Sequence, residues 1–460
     1  MTARPAPPAL FRIELRAMVR LSTPLAAANL LQMAVYAIDV IFVARLGEQA
    51  LAASSLAVAV FASMMWGFHG LVGGVAPLIA AELGKRRHAL REVRRSVRMA
   101  LWLSLVCGVI GLGVCAGAES LMLATGQDAA IAAQAGGFIM WLSLSIVPTV
   151  ASSVLRSFVA ALGRPVFAMA ITALAILVNT LGNYALVFGN LGMPALGLEG
   201  SAISTLITAF VVLGAYLVAI GTDRRLRRYH LLGNWWRAEW QRLREITRIG
   251  LPIALTVIAE GSLFNSAAFI MGRIGTAELA AHTVALQIAA FFFQIPFGIS
   301  QAATIRVGYH FGAGDKAAIG RAGAAAIATT MGFQLVSASL MLFAPLLVIG
   351  VYVDPLDPAN AGLVVLAVQY LAVGAAFQLF DGLQAVAAGA LRGLQDTRVP
   401  MLVALSGYWL VGFTACIALG LGTPLAGVGV WIGLAAGLVV VSALLIWRWQ
   451  RREVLGLVSV

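Results

Sequence analysis

Long apolar runs, each closed by a short polar or basic stretch, recur along the chain from residue 21 to residue 447. Such runs hold about 20 residues or more, enough for an α-helix to cross a hydrocarbon core ~30 Å thick. The pattern predicts twelve spans, at 21–44, 50–80, 96–117, 131–160, 166–188, 197–220, 250–272, 279–308, 322–350, 361–391, 399–421 and 425–447. The ten-residue alternation of a transmembrane β-barrel is absent. Ahead of the first span, Arg12, Arg16 and Arg20 in FRIELRAMVR recur every fourth residue, on one face of an interfacial helix. Pro148 in the fourth span and Pro296 in the eighth are expected to bend their helices. Proline lacks an N–H and crowds the preceding turn.

Composition agrees with the pattern. The chain is 61% hydrophobic and only 11% charged, where soluble domains carry about 25% charged residues. The fold class is therefore an all-α polytopic membrane protein. A net charge of +12 could suggest nucleic acid, but the basic residues come in bursts between spans. Of the 31 lysines and arginines, only Arg45 and Arg273 fall on the side away from the termini, where Glu48, Glu119, Asp128, Glu199, Glu278, Asp354 and Asp357 lie. The positive-inside rule then places both termini in the cytoplasm, and a multi-pass protein of the bacterial inner membrane is the expectation. No cleaved signal is expected. Cys107, Cys115 and Cys416 lie in apolar helices without metal spacing and read as packing residues.

A repeat organises the rest. Pro24 in STPLAAANLLQ recurs 228 residues on as Pro252 in GLPIALTVIAE. At the same offset ARLGEQALAASSLA matches GRIGTAELAAHTVA, and Gly84 matches Gly312. The chain thus reads as two pseudo-symmetric six-helix lobes, 1–221 and 249–460, entering the membrane the same way. Between them, the basic segment 222–248 carries eight arginines with Trp235, Trp236 and Trp240, as an interfacial stretch on anionic lipid would.

Three acids sit inside the spans, where a carboxylate is costly unless it faces the protein interior. Asp39 shares a helical face with Gln32 and Tyr36, and Asn179 and Asn183 are spaced to join it from the fifth span. Asp381 has Gln378 and Gln384 three residues to either side, and Glu260 holds the place in the second half that Gln32 holds in the first. Carboxylates with amide oxygens are hard ligands that suit a proton or a small alkali cation, with Glu260 and Asp381 the pair able to hold sodium. The competing structural reading has each acid only bonding a neighbouring helix, Asp39 with Arg45 for instance. Met64, Met65 and Trp66 with Phe291, Phe292 and Phe293 offer deformable apolar surface. No GxxxxGK[ST] motif occurs and only Lys85 and Lys316 are lysines, so a Walker-type ATPase is excluded. No catalytic constellation is present either, and no enzyme activity is expected.

The chain resembles the multidrug and toxic compound extrusion (MATE) transporters. The resembling segments are TPLAAANLLQMAVYAIDVIFVARLG, LRSFVAALGRP, NTLGNYALVFG and LGMPALGLEGSAIST, then AAHTVALQIAAFFFQIPFGISQAATIRVGYHFGAGD and FDGLQAVAAGALRGLQDTRVP. It looks most like the NorM branch, with a glutamate in span seven and an aspartate in span ten, here Glu260 and Asp381. The resemblance implies a cation site there and a protonatable centre at Asp39, Asn179 and Asn183. In span eight, Gln287 and Thr283 stand where the family commonly shows Asn and Gln. The implied function is export of amphiphilic organic cations in exchange for inward Na⁺ or H⁺, with no cofactor besides the coupling ion. The bilayer and small organic cations are the expected partners, without nucleic acid, and a monomer is the expected working unit. A lipid-linked glycan flippase of related two-lobe architecture is the alternative, and a channel or structural protein would lack saturable exchange.

Overall fold

The computed structural model describes residues 7–86, 88–231, 233 and 235–458. The first half holds α1 (Pro7–Ala44), α2 (Glu48–Gly73), α3 (Val75–Lys85), α4 (Ala89–Ala116), α5 (Ala118–Ala124), α6 (Ala129–Ser143), α7 (Ile146–Ala161), α8 (Val166–Phe188) and α9 (Gly197–Thr222). The second holds α10 (Trp240–Ile274), α11 (Thr276–Ala313), α12 (Lys316–Phe343), α13 (Pro345–Ile349), α14 (Ala361–Gly393), α15 (Arg398–Leu405), α16 (Thr414–Gly422) and α17 (Ala426–Gln450). A π-helical segment, Ser406–Phe413, joins α15 to α16. No strand occurs among the described residues.

Eleven stretches are long and apolar enough to cross a membrane, and α6 with α7, bent by 44°, make a twelfth. Those are the twelve spans that the hydropathy pattern predicts. The α6–α7 break falls at Leu144 and Ser145, and Pro148 explains it. Proline has no N–H for the carbonyl four residues back, that of Leu144, and its ring crowds that group. The chain tightens there instead, with Leu144 and Ser145 donating to the carbonyls of Trp141 and Leu142. By contrast α11 continues through Pro296 without a break. The repeat is carried into the helices: α2 begins and α3 ends 228 residues before α11 begins and ends.

Two compact units make up the chain, one formed by Ala27–Ala254 and the other by the described residues up to Ala26 together with those from Leu255 on. The chain passes from one unit to the other inside α1 and inside α10, in each case two residues beyond an equivalent proline, Pro24 or Pro252. This differs from a division at 221 and 249. The start of each half's first helix packs with the opposite half, for two local reasons.

One reason is close backbone contact between small residues. In the Ala27–Ala254 unit, a Cβ on Gly70 would lie 2.6 Å from Ala254 Cα. In the other, a Cβ on Gly298 would lie 2.7 Å from Ala26 Cα, at the equivalent place in the repeat. Small residues four apart let membrane helices approach until their backbones touch. The second reason is charge. Glu14, 6% exposed, accepts from Arg306 Nε and Nη2 at 2.7 and 2.6 Å, with His310 Nε2 3.3 Å away. In the Ala27–Ala254 unit, Arg242 donates to Glu92 at 2.7 Å and Glu245 at 2.8 Å, with Glu82 at 3.5 Å. Glu14 is the repeat partner of Arg242, and His310 of Glu82. The same anchor is thus built twice with its polarity reversed.

Candidate functional site

In the Ala27–Ala254 unit, α1, α8 and α9 converge on Asp39. Its Oδ1 accepts from Asn179 Nδ2 at 3.0 Å and Asn183 Nδ2 at 2.8 Å, and Oδ2 from the Thr205 hydroxyl at 3.4 Å. Asn179 and Asn183 are one turn apart on α8 and fully buried, which fixes both amides. Ser204 on α9 donates to the Asn179 carbonyl at 3.0 Å, and Gly182 leaves the space that this hydroxyl fills. One face of α1 adds Gln32, whose side chain hydrogen-bonds the Tyr36 hydroxyl. No ion pair with Arg45 forms; that guanidinium lies over the Phe42 ring, 6.0 Å from its centroid. Asp39 is a carboxylate held by neutral donors. Such a group can take up a proton or a cation without first breaking a salt bridge.

In the other unit, α14 carries Asp381, 4% exposed, with Gln378 and Gln384 a turn to either side. The α12 face Thr330, Gln334 and Ser337 packs against it. Gln334 Nε2 donates to the Gln378 carbonyl at 2.6 Å, and Ser337 donates to Gln334 Oε1 at 2.9 Å. Gly382 makes room, since a Cβ there would lie 2.4 Å from Gln334 Nε2. On the other side Gln378 Nε2 donates to the Ala289 carbonyl of α11 at 3.3 Å. These bonds occupy the amide N–H groups and leave oxygens over. Asp381 Oδ1, Gln378 Oε1, Gln384 Oε1, Thr330 Oγ1 and Tyr408 Oη are buried without a partner. Each such group costs about 1–3 kcal/mol when unsatisfied. Glu260 on α10 acts electrostatically on Asp381, Arg392 and Tyr408. Tyr408 lies in the π-helical segment, and a π-turn is often found where a helix serves a functional site. Carboxylates and unpaired neutral oxygens together favour a proton or a hard cation.

The structure therefore brings Asp39, Asn179 and Asn183 together, and separately Asp381, Gln378 and Gln384, with Glu260 near enough to act on Asp381 through its charge. Gln287 and Thr283 are exposed on α11, and the Thr283 hydroxyl bonds the Leu279 carbonyl. Thr205, Gln334, Thr330, Ser337 and Tyr408 were not singled out from the sequence. The α12 group had a signal, since 330, 334 and 337 share a helical face inside an apolar span. Tyr408 had none, because a π-turn shifts the register of the face it occupies. Arg392, at the end of α14, is close enough to Glu260 to act on it.

Twelve spans in two repeats, with carboxylates inside the spans of each half, define a polytopic membrane protein of the two-repeat transporter class. The MatE family model matches residues 24–185 and 252–417, each match beginning at one of the two equivalent prolines. The chain belongs to the MatE family. It is 42% identical over 449 residues to a probable multidrug resistance protein NorM of Mesorhizobium japonicum, covering 97% of this chain and 96% of that one. A protein of the same description from Brucella suis is 44% identical over 434 residues, 94% of this chain and 92% of that one. Among solved structures, an outward-facing multidrug resistance MATE family transporter of the MOP superfamily superposes with TM-score 0.85 at 22% identity, over 97% of this chain and 98% of that one. A MOP superfamily transporter from Pyrococcus furiosus gives 0.85 at 21% identity, over 97% of each chain.

Proposed function

We propose that the chain is a secondary antiporter that exports amphiphilic organic cations from the cytoplasm in exchange for inward Na⁺ or H⁺. The observation that carries this reading is a pair of acid sites inside the spans, half-buried Asp39 among neutral donors and buried Asp381 among unpaired oxygens. The description of its relatives as probable multidrug resistance proteins supports it. The burst pattern of basic residues supports an inner-membrane protein with both termini in the cytoplasm.

The physical logic is competition for negative charge. A bare carboxylate inside the membrane is unfavourable by several kcal/mol. A proton or sodium ion arriving from outside relieves that cost, and so does an organic cation arriving from inside. Only one of them is accommodated at a time, so entry of the ion drives release of the cargo. Each charge moved inward gains ~2.3 kcal/mol per 100 mV of potential. Acidic sites favour cationic over anionic cargo. The test is exchange in liposomes containing the purified chain. An imposed inward-directed sodium or pH gradient should drive saturable counter-movement of a fluorescent organic cation. Movement that ignores both gradients contradicts the proposal.

A further inference from the structure

At the basic end of the Ala27–Ala254 unit lies a half-open cavity of about 190 Å³ lined by Arg91, Arg94, Arg95, Arg98, Arg237, Ala238 and Glu239, with Arg91 and Arg237 at its exposed rim. That is the space of roughly six water molecules at ~30 Å³ each. Four of the arginines follow from one helical pattern. Residues 91, 94, 95 and 98 are spaced three, one and three apart at the start of α4, so their side chains share a face. The fifth, Arg237, comes from the segment that leads into α10.

Five guanidinium groups line this space against a single carboxylate. That carboxylate is already committed: Glu239 is bonded by both Arg95 and Arg98. Arg95 is further tied to Glu92 at 2.8 Å. Arg98 is 2% exposed, so one wall of the cavity is a buried, fixed guanidinium. Arg91, Arg94 and Arg237 make no ion pair with an acid among the described residues. Like charges crowded round one cavity repel, most strongly where water is scarce. An anion with several oxygens would reverse that term, and phosphate is the anion that planar arginine forks match best.

The surroundings indicate what carries the phosphate. Trp102, one turn beyond Arg98, donates its indole N–H to the Trp235 carbonyl at 3.2 Å. Beside them Trp236 and Trp240 are 86% and 69% exposed. Exposed indoles next to the entry of an apolar span mark the membrane–water interface. The cavity is thus set at the depth of lipid headgroups. We propose that it binds a phosphate group, supplied by the headgroup of an anionic phospholipid, and so fixes the start of α4 and of α10 to the leaflet.

The test uses the full chain purified in detergent and titrated with phosphatidylglycerol, phosphatidylcholine or inorganic phosphate, with bound lipid counted by native mass spectrometry. The variants are Arg91→Ala, Arg94→Ala and Arg237→Ala, which disturb none of the ion pairs above, with Arg94→Lys as the charge-preserving control. Apparent affinity for phosphatidylglycerol should fall about fivefold for each arginine removed, and recover in part in Arg94→Lys, which restores the charge but not the planar fork. Phosphatidylcholine binding should not change, and inorganic phosphate should displace the anionic lipid only weakly. Unchanged phosphatidylglycerol binding in all three alanine variants overturns the site. Arginine-dependent binding of inorganic phosphate as tight as that of the lipid overturns the assignment to lipid. Thermal melting of lipid-free variants at or above the wild-type temperature supports the proposal, because lost binding is then local and like-charge repulsion is relieved; a common drop in all three overturns it in favour of a structural role.

Discussion

Gly70 holds the start of α10 in the Ala27–Ala254 unit, and replacing it tests how that unit is closed. An alanine Cβ at 70 would lie 2.6 Å from Ala254 Cα and 2.9 Å from Ala254 N, where ordinary contact begins at 3.4 Å. Both neighbours are backbone, so no rotamer change relieves the overlap. The helices must separate by about 0.8 Å. Overpacking of this kind costs about 1–3 kcal/mol. For a unit of this size each kcal/mol lowers Tm by about 2–4 °C, so Gly70→Ala should melt roughly 2–12 °C below wild type. The control lies three residues along the same helix. A Cβ on Gly73 meets nothing within 4 Å, and alanine is favoured over glycine in a helix by up to about 1 kcal/mol. Gly73→Ala should therefore melt at or above wild type. Gly298→Ala should repeat the Gly70→Ala loss in the other unit. The assay is thermal unfolding of detergent-purified protein followed by tryptophan fluorescence. A Gly70→Ala protein as stable as Gly73→Ala would refute the close-contact argument.

The duplicated anchor makes a matching prediction. Arg242→Ala leaves buried Glu82 with Lys85 alone and half-buried Glu92 with Arg95 alone, so it should cost about 1.5–3 kcal/mol, the worth of a hydrogen bond to a charged group, and adding Glu82→Gln in the same chain should recover part of the lost melting temperature. At the Asp39 site, Asn183→Leu removes the shorter of two amide donors while leaving Asn179 in place. Hydrogen bonds to charged groups are worth about 1.5–3 kcal/mol, so the half-saturating concentration of the coupling ion should shift about tenfold or more at unchanged protein level. Pro148→Ala supplies an N–H for the Leu144 carbonyl and should straighten the α6–α7 span. Spin labels at its two ends should then move apart by about 3 Å, from the 44° bend and a rise of 1.5 Å per residue; an unchanged distance would place the cause of the bend elsewhere.

The spans were legible because a membrane leaves few options: run length and hydropathy alone select helices of crossing length. The repeat was legible because Pro24 and Pro252, Gly84 and Gly312 keep one offset. The Asp39 cluster followed from helical spacing within spans one and five, since side chains three or four apart must share a face. What spacing could not show is which helix a face meets. Glu14 finds Arg306, and Arg242 finds Glu92, across long stretches of chain, and the two anchors have opposite polarity. A symmetric reading of the halves therefore conceals the exchange of helix starts between units. Gln334 was within reach of a periodicity argument. Tyr408 was not, because it sits on a π-turn whose register no apolar pattern announces.

The proposed function has the acids inside the spans couple ion entry to cargo export. Its most direct test uses inside-out membrane vesicles, energised by respiration and loading a fluorescent organic cation, with wild type, Asp381→Asn and Glu260→Gln inserted at equal levels. The sodium gradient and the pH gradient are then collapsed separately. One collapse should abolish wild-type uptake, and both variants should be inactive under every condition. Wild-type uptake that survives both collapses, or variants that load the vesicles at the wild-type rate, would contradict it.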